Sequence, residues 1–104
     1  MKFDPGQIVA TGGVSRTMDK NAEFRAFCET ALRRHLECDW GDVDADDASM
    51  NNYAVEFSGR LLSAYKLPRL MQADTNYGSS TVEMIWIITE YDRSATTLLF
   101  PEEY

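Results

Sequence analysis

The chain is poor in the residues that most enzyme and metal sites use. Among its 104 residues it has only one histidine, two cysteines and three prolines. Any Ser–His or Cys–His pair would have to use His35, which lies on a predicted helix close to Cys38. Cys28 and His35 are seven positions apart, so on one helix they lie about 10 Å apart along the axis, too far to share one zinc ion. We therefore expect no zinc or other metal site, no catalytic residues of this type and no cofactor.

Basic residues are also scarce. The chain has 10 lysines and arginines against 17 aspartates and glutamates, which gives a net charge of −7. A nucleic acid would repel such a chain, because binding to phosphates depends on lysine and arginine. A basic protein surface would attract it. We therefore expect a protein partner and no direct contact with nucleic acid, although a moderate net charge also serves simply to keep small proteins in solution.

Long apolar runs are absent. The longest run, residues 84–88, is too short to cross a membrane. No apolar signal segment follows the N-terminal Met-Lys-Phe-Asp-Pro-Gly. The expected location is therefore the cytoplasm, without membrane contact, where Cys28 and Cys38 are reduced. With 44% hydrophobic and 12% aromatic residues, the chain suits one folded domain over residues 1–104.

The hydrophobic pattern predicts a first helix that begins near Asp19 or Asn21, either of which can cap it. Apolar residues then recur at three- and four-residue spacing over residues 22–36, which predicts one buried stripe. Cys28 is expected to be a small core residue of this stripe, and His35 to be partly buried.

A second helix is predicted after the first. Asp44 or Asp46 can cap it, and the pattern continues to about Phe57. Gly59 is well placed to end the helix in the left-handed conformation. The residues expected to face inward are Met50, Tyr53, Ala54 and Phe57.

Strands are predicted at residues 7–11, 60–67, 82–89 and 95–100. Gly12 and Gly13 are expected to end the first strand, residues 69–80 to form a polar connection, and residues 101–104 to be an exposed tail. Three consecutive strands joined by loops form an antiparallel meander. The predicted fold is therefore α+β: a small antiparallel sheet of about four strands, with a C-terminal three-strand meander and two helices packed on one face.

An acidic cluster separates the two predicted helices, with five aspartates within nine residues: Asp39, Asp42, Asp44, Asp46 and Asp47. The spacing begins like an EF-hand calcium loop, but Asp47 stands where glycine is needed and Tyr53 where a bidentate glutamate is needed, so no calcium site is predicted. Two interpretations stay open. The carboxylates either stabilise a helix N-terminus or form an acidic face for a basic partner.

Two aromatic residues are candidate interface anchors. Trp40 stands in the break between the helices, where it either packs into the core, the favoured interpretation, or binds a partner. Tyr77 lies in the polar connection 69–80. The candidate partner-binding residues are therefore Asp39, Trp40, Asp42, Asp44, Asp46, Asp47 and Tyr77.

Several motifs carry a family resemblance: Asp-Trp-Gly-Asp at 39–42, Gly-Arg-Leu-Leu-Ser-Ala-Tyr at 59–65, Ile-Trp-Ile-Ile-Thr-Glu at 85–90, Asp-Arg-Ser at 92–94, Thr-Thr at 96–97 and Pro-Glu-Glu-Tyr at 101–104. Together they resemble a family of short bacterial proteins often encoded on plasmids and other mobile elements. The resemblance implies that genetic setting, and it implies no particular reaction or ligand.

Three functional hypotheses follow. The leading one is a non-enzymatic, acidic protein-interaction module of mobile-element type that inhibits or assists a protein with a basic or nucleic-acid-binding surface. The second is a small enzyme that uses Glu90, Asp92 and Arg93 near the C-terminal hairpin, although a bend held by local hydrogen bonds is the simpler interpretation of these residues. The third is a structural domain whose last strand pairs with a second copy.

Overall fold

The structure, a computed structural model, describes residues 2–104. Helices and strands are combined in one α+β fold, which confirms the predicted class. The helices are α1 (Gly12–Lys20), α2 (Ala22–Leu36), α3 (Ala45–Phe57) and α4 (Arg69–Asp74), and a 3₁₀ helix (Pro101–Glu103) ends the chain. The strands are β1 (Gln7–Ala10), β2 (Leu61–Lys66), β3 (Asn76–Tyr77), β4 (Ser80–Thr81), β5 (Met84–Thr89) and β6 (Ala95–Leu99).

The main sheet has the strand order β1-β6-β5-β2. Strand β5 pairs antiparallel with both β2 and β6, as the meander prediction requires. Strand β1 instead pairs parallel with β6, with Ile8 opposite Thr96, so the sheet is mixed and the prediction of an all-antiparallel sheet was wrong. The segment before β1 sets this direction, because the Thr96 hydroxyl donates to the Pro5 carbonyl at 2.7 Å and the Gln7 N–H donates to the Ser94 carbonyl at 3.0 Å.

The main core lies between one face of the sheet and helices α1 and α2. Alternate residues of β5, including Ile85 and Ile87, point into it, because side chains alternate between the two faces of a strand. Phe24 of α2 packs against Phe100 with ring centroids 5.9 Å apart. Cys28 is completely buried there, as predicted, and burial raises the pKa of its thiol to about 12.

His35 is more deeply buried than predicted, because it belongs to a chain of hydrogen bonds through the core. Its ring nitrogens bond to the hydroxyls of Ser63 at 2.5 Å and Thr89 at 2.9 Å. The Thr89 and Thr96 hydroxyls are 2.7 Å apart, and Thr96 donates onward to the Pro5 carbonyl. Each hydroxyl has one proton, so Thr89 donates to Thr96 and accepts from the ring. Nε2 of the ring therefore carries a proton, and burial lowers the pKa of His35 to about 4, so the ring is neutral at pH 7 and Nδ1 accepts from the Ser63 hydroxyl.

Helix α1 begins where the sequence predicted only a strand end. Its first residue is Gly12, and Thr11 gives no side-chain cap. The cap comes from the other end of the chain: the Glu103 carboxylate accepts from the Gly13 N–H at 2.9 Å and from the Thr11 hydroxyl at 2.5 Å. The terminal segment is therefore attached to α1, and the prediction of an exposed tail was wrong for Glu103.

The predicted polar connection also contains regular structure. Helix α4 begins directly after Pro68, and strands β3 and β4 form a small hairpin with Asn76 opposite Thr81. Both elements are short. The strands on either side of them, β2 and β5, were predicted, and their predicted bounds are confirmed within one or two residues at each end.

Helix α3 was predicted with nearly correct bounds but the wrong buried face. Asp44 is its N-cap, and the Asp44 carboxylate accepts from the Asp47 N–H at 2.8 Å. Asn51 and Ala54 face inward, whereas three of the four residues predicted to be buried lie in solvent. At the C-terminal end, Ser58 is the first residue with positive φ, so Gly59 is not the sole left-handed residue there. No helix among residues 2–104 has both the length and the apolar character needed to cross a membrane.

Candidate protein-interaction site

The Asp-Trp-Gly-Asp motif at 39–42 lies along the outer edge of β2. The Ala64 N–H donates to the Trp40 carbonyl at 3.2 Å, and the Asp42 N–H donates to the Ala64 carbonyl at 2.6 Å. The Asp42 carboxylate also accepts from the Lys66 N–H at 2.9 Å. These bonds satisfy outward-facing backbone groups of an edge strand, which would otherwise be open to pairing.

Helix α3 completes the cover of this edge. The side-chain amide of Asn51 accepts from the Leu62 N–H at 3.1 Å and donates to the Leu62 carbonyl at 2.7 Å. Asn51 therefore replaces one residue of a neighbouring strand, and its burial follows from this role. The polar side chain faces inward because β2 needs a partner there, and the larger apolar side chains of α3 are left on the other side.

Asp39 is held by a partner of its own. Arg34 donates to its carboxylate from Nε at 2.7 Å and from Nη2 at 3.2 Å. The hydrogen bonds from Arg34 lower the pKa of the Asp39 carboxyl, and the bond from the Gly41 N–H lowers it further. Slight burial acts in the opposite direction but does not outweigh these bonds. The Tyr65 hydroxyl donates to the Asp39 carbonyl at 2.7 Å, so this residue joins α2 to β2.

The two candidate anchors do not lie together. Trp40 is buried, with its ring stacked on Phe3 at a centroid distance of 6.4 Å, and its Nε1–H donates to Asn52 at 2.9 Å. Burial, the favoured interpretation, is therefore confirmed for Trp40. Tyr77 is on β3, where its ring meets Phe100 edge-on. It lies beside the N-terminus of α1, away from the contacts that Trp40 makes.

Of the five aspartates in the cluster, Asp46 and Asp47 differ from the others. Asp39, Asp42 and Asp44 accept hydrogen bonds that hold the fold. The side chains of Asp46 and Asp47 lie exposed in the first turn of α3 and form no hydrogen bond or ion pair with any residue of the described range 2–104. The helix dipole favours negative charge at this position, and both carboxylates stay accessible to another molecule.

An apolar stripe continues from Asp46 along the solvent side of α3. Met50, Tyr53 and Phe57 are 69%, 65% and 62% exposed, although the spacing of these residues is that of a helix face that packs. The Tyr53 and Phe57 rings are in contact, with centroids 4.7 Å apart. We call Asp46, Met50, Tyr53 and Phe57 the α3 outer face. The sequence pattern placed Met50, Tyr53 and Phe57 in the core, because periodicity alone does not say which side a helix buries, whereas Asp46 was already a candidate partner-binding residue.

Two residues of the enzyme hypothesis, Asp92 and Arg93, form hydrogen bonds with backbone groups of the fold. Arg93 donates from Nη1 to the Gly59 carbonyl at 2.6 Å and from Nη2 to the Ala54 carbonyl at 2.8 Å. Ala54 is in the last turn of α3, where backbone carbonyls lack helical partners, so Arg93 caps that end of the helix. The Asp92 carboxylate accepts from the Ser94 N–H at 3.0 Å and closes the hairpin bend. These contacts favour a structural role for Arg93 and Asp92.

No cluster of three or more His, Cys, Asp or Glu side chains within residues 2–104 is arranged to hold a metal ion. No protein-family model, no curated protein and no solved structure matches the chain. The geometry of the described residues therefore carries the functional interpretation.

Proposed function

We propose that the protein is a small acidic protein-interaction module that binds its partner with the α3 outer face. The observation that carries this proposal is the exposed stripe of Met50, Tyr53 and Phe57 next to the unpaired carboxylates of Asp46 and Asp47. Methionine and aromatic side chains are enriched at the centres of protein interfaces, and charged residues at their rims.

The composition of this helix supports a binding role. Three large apolar side chains that are exposed to water contribute no hydrophobic stabilisation to the isolated chain. Large contiguous apolar patches on a protein surface commonly mark binding sites. The inward side of α3 is already satisfied by Asn51 and Ala54. A partner that covers the stripe would bury Met50, Tyr53 and Phe57, each worth on the order of 1.5–3 kcal/mol when fully buried.

Charge supports a basic partner. Asp39, Asp42, Asp44, Asp46 and Asp47 all lie on the outer side of β2 or at the start of α3, and the chain as a whole has a net charge of −7. The electrostatic field of these carboxylates attracts a basic surface and speeds association with it. Added salt screens the field and weakens this attraction. The partner surface of best fit combines a shallow apolar groove with lysines and arginines, as nucleic-acid-binding surfaces often do.

The resemblance of the sequence motifs to short bacterial proteins of plasmids and mobile elements suggests the setting. In that setting the module acts in the cytoplasm, as an inhibitor or accessory factor of a host or mobile-element protein. Asp42 and Asp44 then contribute by their charge while they hold the fold, whereas the Arg34 guanidinium compensates the charge of Asp39. Tyr77 lies on a different part of the molecule and is not assigned to this interface.

The experiment that tests the proposal is affinity capture from a nuclease-treated lysate at low and high salt, with the captured proteins identified by mass spectrometry. The wild-type chain is compared with an outer-face variant, Tyr53→Ser with Phe57→Ser, and with an acid variant, Asp46→Asn with Asp47→Asn. Tyr91→Ser is the matched control, because Tyr91 is equally exposed but lies in the hairpin bend.

We expect the wild type and the Tyr91 variant to capture the same basic protein in stoichiometric amount. The outer-face variant should lose it at both salt concentrations. The acid variant should bind more weakly at low salt and show a flatter dependence on salt. A partner retained in full by both variants would refute the α3 outer face as the binding surface.

A further inference from the structure

Strand β1 forms the second edge of the main sheet, and its outer side is open. The Gln7 N–H donates to the Ser94 carbonyl and the Thr11 N–H to the Leu98 carbonyl, each at 3.0 Å. Alternate residues of a strand point their backbone groups to the same side. Ile8 and Ala10 therefore direct their N–H and C=O groups away from β6, where no residue of the described range 2–104 pairs with them.

The two edge strands of the sheet differ in whether their outward backbone groups are covered. On β2, the backbone groups of Leu62, Ala64 and Lys66 are covered by Asn51 and the motif at 39–42. Strand β1 has the sequence Gln-Ile-Val-Ala, with no charge and no proline, and its length of four residues is the one device against edge pairing that it shows. All four residues are exposed, including Ile8 at 45% and Val9 at 37%.

An apolar groove adjoins this open edge on the side of the helices. It has a volume of about 160 Å³ and is lined by apolar residues of β1, by Met18, Cys28, Leu32 and Leu98, and by one charged residue, Glu29. A strand added to β1 would carry every second side chain toward this groove. The site thus offers both hydrogen-bonding groups for a backbone and an apolar surface for the side chains.

We infer that this edge binds a second copy of the chain, by antiparallel pairing of β1 with β1 across a twofold axis at Val9. In this register Ile8 of one copy exchanges both backbone hydrogen bonds with Ala10 of the other, and the reverse pair forms on the far side of the axis. The register uses every outward-facing group of Ile8 and Ala10, and it joins the two sheets into one of eight strands. Closed twofold dimers of this kind are the commonest protein oligomers.

The acidic cluster at 39–47 does not oppose a second copy at β1, although the chain has a net charge of −7. Asp42 lies against β2, and β2 is three strand spacings from β1, or roughly 14 Å. That distance exceeds the Debye length of about 8 Å at physiological salt. Two uncharged strands therefore meet while the acidic clusters point away from each other, at the far edges of the joined sheet.

The dimer is expected to be weak. Strand β1 has four residues, so the contact is smaller than a standard interface of about 1,600 Å². Sedimentation equilibrium from about 10 μM to 1 mM should show a mass that rises toward that of a dimer. Over the same range, exchange of the Ile8 and Ala10 amide protons should slow, since these groups become hydrogen-bonded only in the dimer.

Two variants test the register. Ile8→Pro removes an outward N–H that β6 does not use, and Val9→Lys places two like charges at the axis. Both should remain monomeric at the highest concentration, whereas Ser79→Lys, which adds the same charge on the exposed β3–β4 turn, should dimerise like the wild type. Circular dichroism of each variant verifies that the fold is kept, and if Ile8→Pro unfolds, Val9→Lys decides.

A wild-type chain that stays monomeric at about 1 mM would overturn the inference, since even weak interfaces associate at that concentration. A dimer that persists unchanged in Val9→Lys would overturn it as well. A chain that is monomeric alone, but whose Ile8 and Ala10 amides become protected only when another protein is added, would assign the edge to that protein and reject the second copy.

Discussion

The carboxylate of Glu103 accepts a hydrogen bond from the backbone N–H of Gly13, ninety residues earlier in the chain, at 2.9 Å. The same carboxylate accepts from the Thr11 hydroxyl and from the Phe100 N–H. Helix α1 has no acidic residue in its first turn and no side-chain cap of its own. The end of the chain therefore supplies the negative charge that the start of this helix lacks.

Replacing Glu103 by Gln should destabilise the protein by about 1 kcal/mol, because the amide keeps one acceptor oxygen but removes the second and the negative charge at the start of α1. Burial tends to raise the pKa of the Glu103 carboxyl, but the hydrogen bonds from Thr11, Phe100 and Gly13 together lower it below 4.5. A lowered pKa contributes stability above the unfolded value, and this contribution disappears as the pH falls through the folded value.

Urea unfolding at neutral and acidic pH checks this prediction. The difference in free energy of unfolding between the wild type and Glu103→Gln should be full at pH 7 and should shrink toward pH 3. Glu102→Gln is the control, because Glu102 is exposed and accepts no such bond. A difference that stays constant with pH would contradict a role for the charge.

Much of the fold was predictable because the responsible signals are local. Asn21 caps α2 as its position predicted, and β5 and β6 are rich in the β-branched residues that favour strands. The start of α1 was not predictable, since its cap comes from Glu103 across the whole sequence. The partner of β1 was not predictable either, because the direction of a strand against a distant one depends on contacts such as Thr96 with Pro5.

The candidate site was only partly predictable for a related reason. The apolar spacing of Met50, Tyr53 and Phe57 is the usual sign of a buried helix face. Here the buried position belongs to Asn51, which satisfies the backbone of Leu62. The need for that polar residue arises only once α3 and β2 are neighbours, so the sequence pattern alone assigned the wrong face to the core.

Gly41 should be far less replaceable than Gly78. Both have positive φ, at 74° and 62°. A Cβ atom at Gly41 would lie 2.2 Å from the Ala64 carbonyl oxygen and 2.6 Å from the Tyr65 ring, whereas one at Gly78 would meet nothing within 4 Å. We expect Gly78→Ala to cost about 1 kcal/mol from backbone strain alone.

Gly41→Ala should cost at least about 3 kcal/mol, because the motif at 39–42 must also move away from β2. Thermal and urea unfolding of the two variants, measured side by side, give both values. Equal destabilisation would show that the close approach of residues 39–42 to β2 is unimportant for stability.

His35 should make stability fall with acidity in a defined range. Burial lowers its pKa from 6.5 to about 4, so between these values the unfolded chain binds a proton that the folded chain excludes. Stability is therefore lost as the pH falls from 6.5 to 4, by about 1.4 kcal/mol for each pH unit at most.

The free energy of unfolding of the wild type and of His35→Gln, measured every half unit of pH, isolates this effect. The variant is expected to be less stable at pH 7, because the substitution disturbs the hydrogen bonds that run from Ser63 through residue 35 and Thr89 to Thr96. The dependence of its stability on pH between 4 and 6.5 should be shallower. Parallel curves for the two proteins would mean that His35 binds its proton as readily in the folded chain as in the unfolded chain.

The most direct test of the account is photocrosslinking at the α3 outer face inside cells of the source organism. A benzoylphenylalanine is placed at Tyr53 or, as the matched control, at Tyr91, since these side chains are 65% and 67% exposed. We predict that irradiation joins the chain to a basic protein from position 53 and not from position 91, and that Asp46→Asn with Asp47→Asn reduces the yield. The same crosslinks from both positions, or none from position 53, would contradict the proposal that this face of α3 binds a partner.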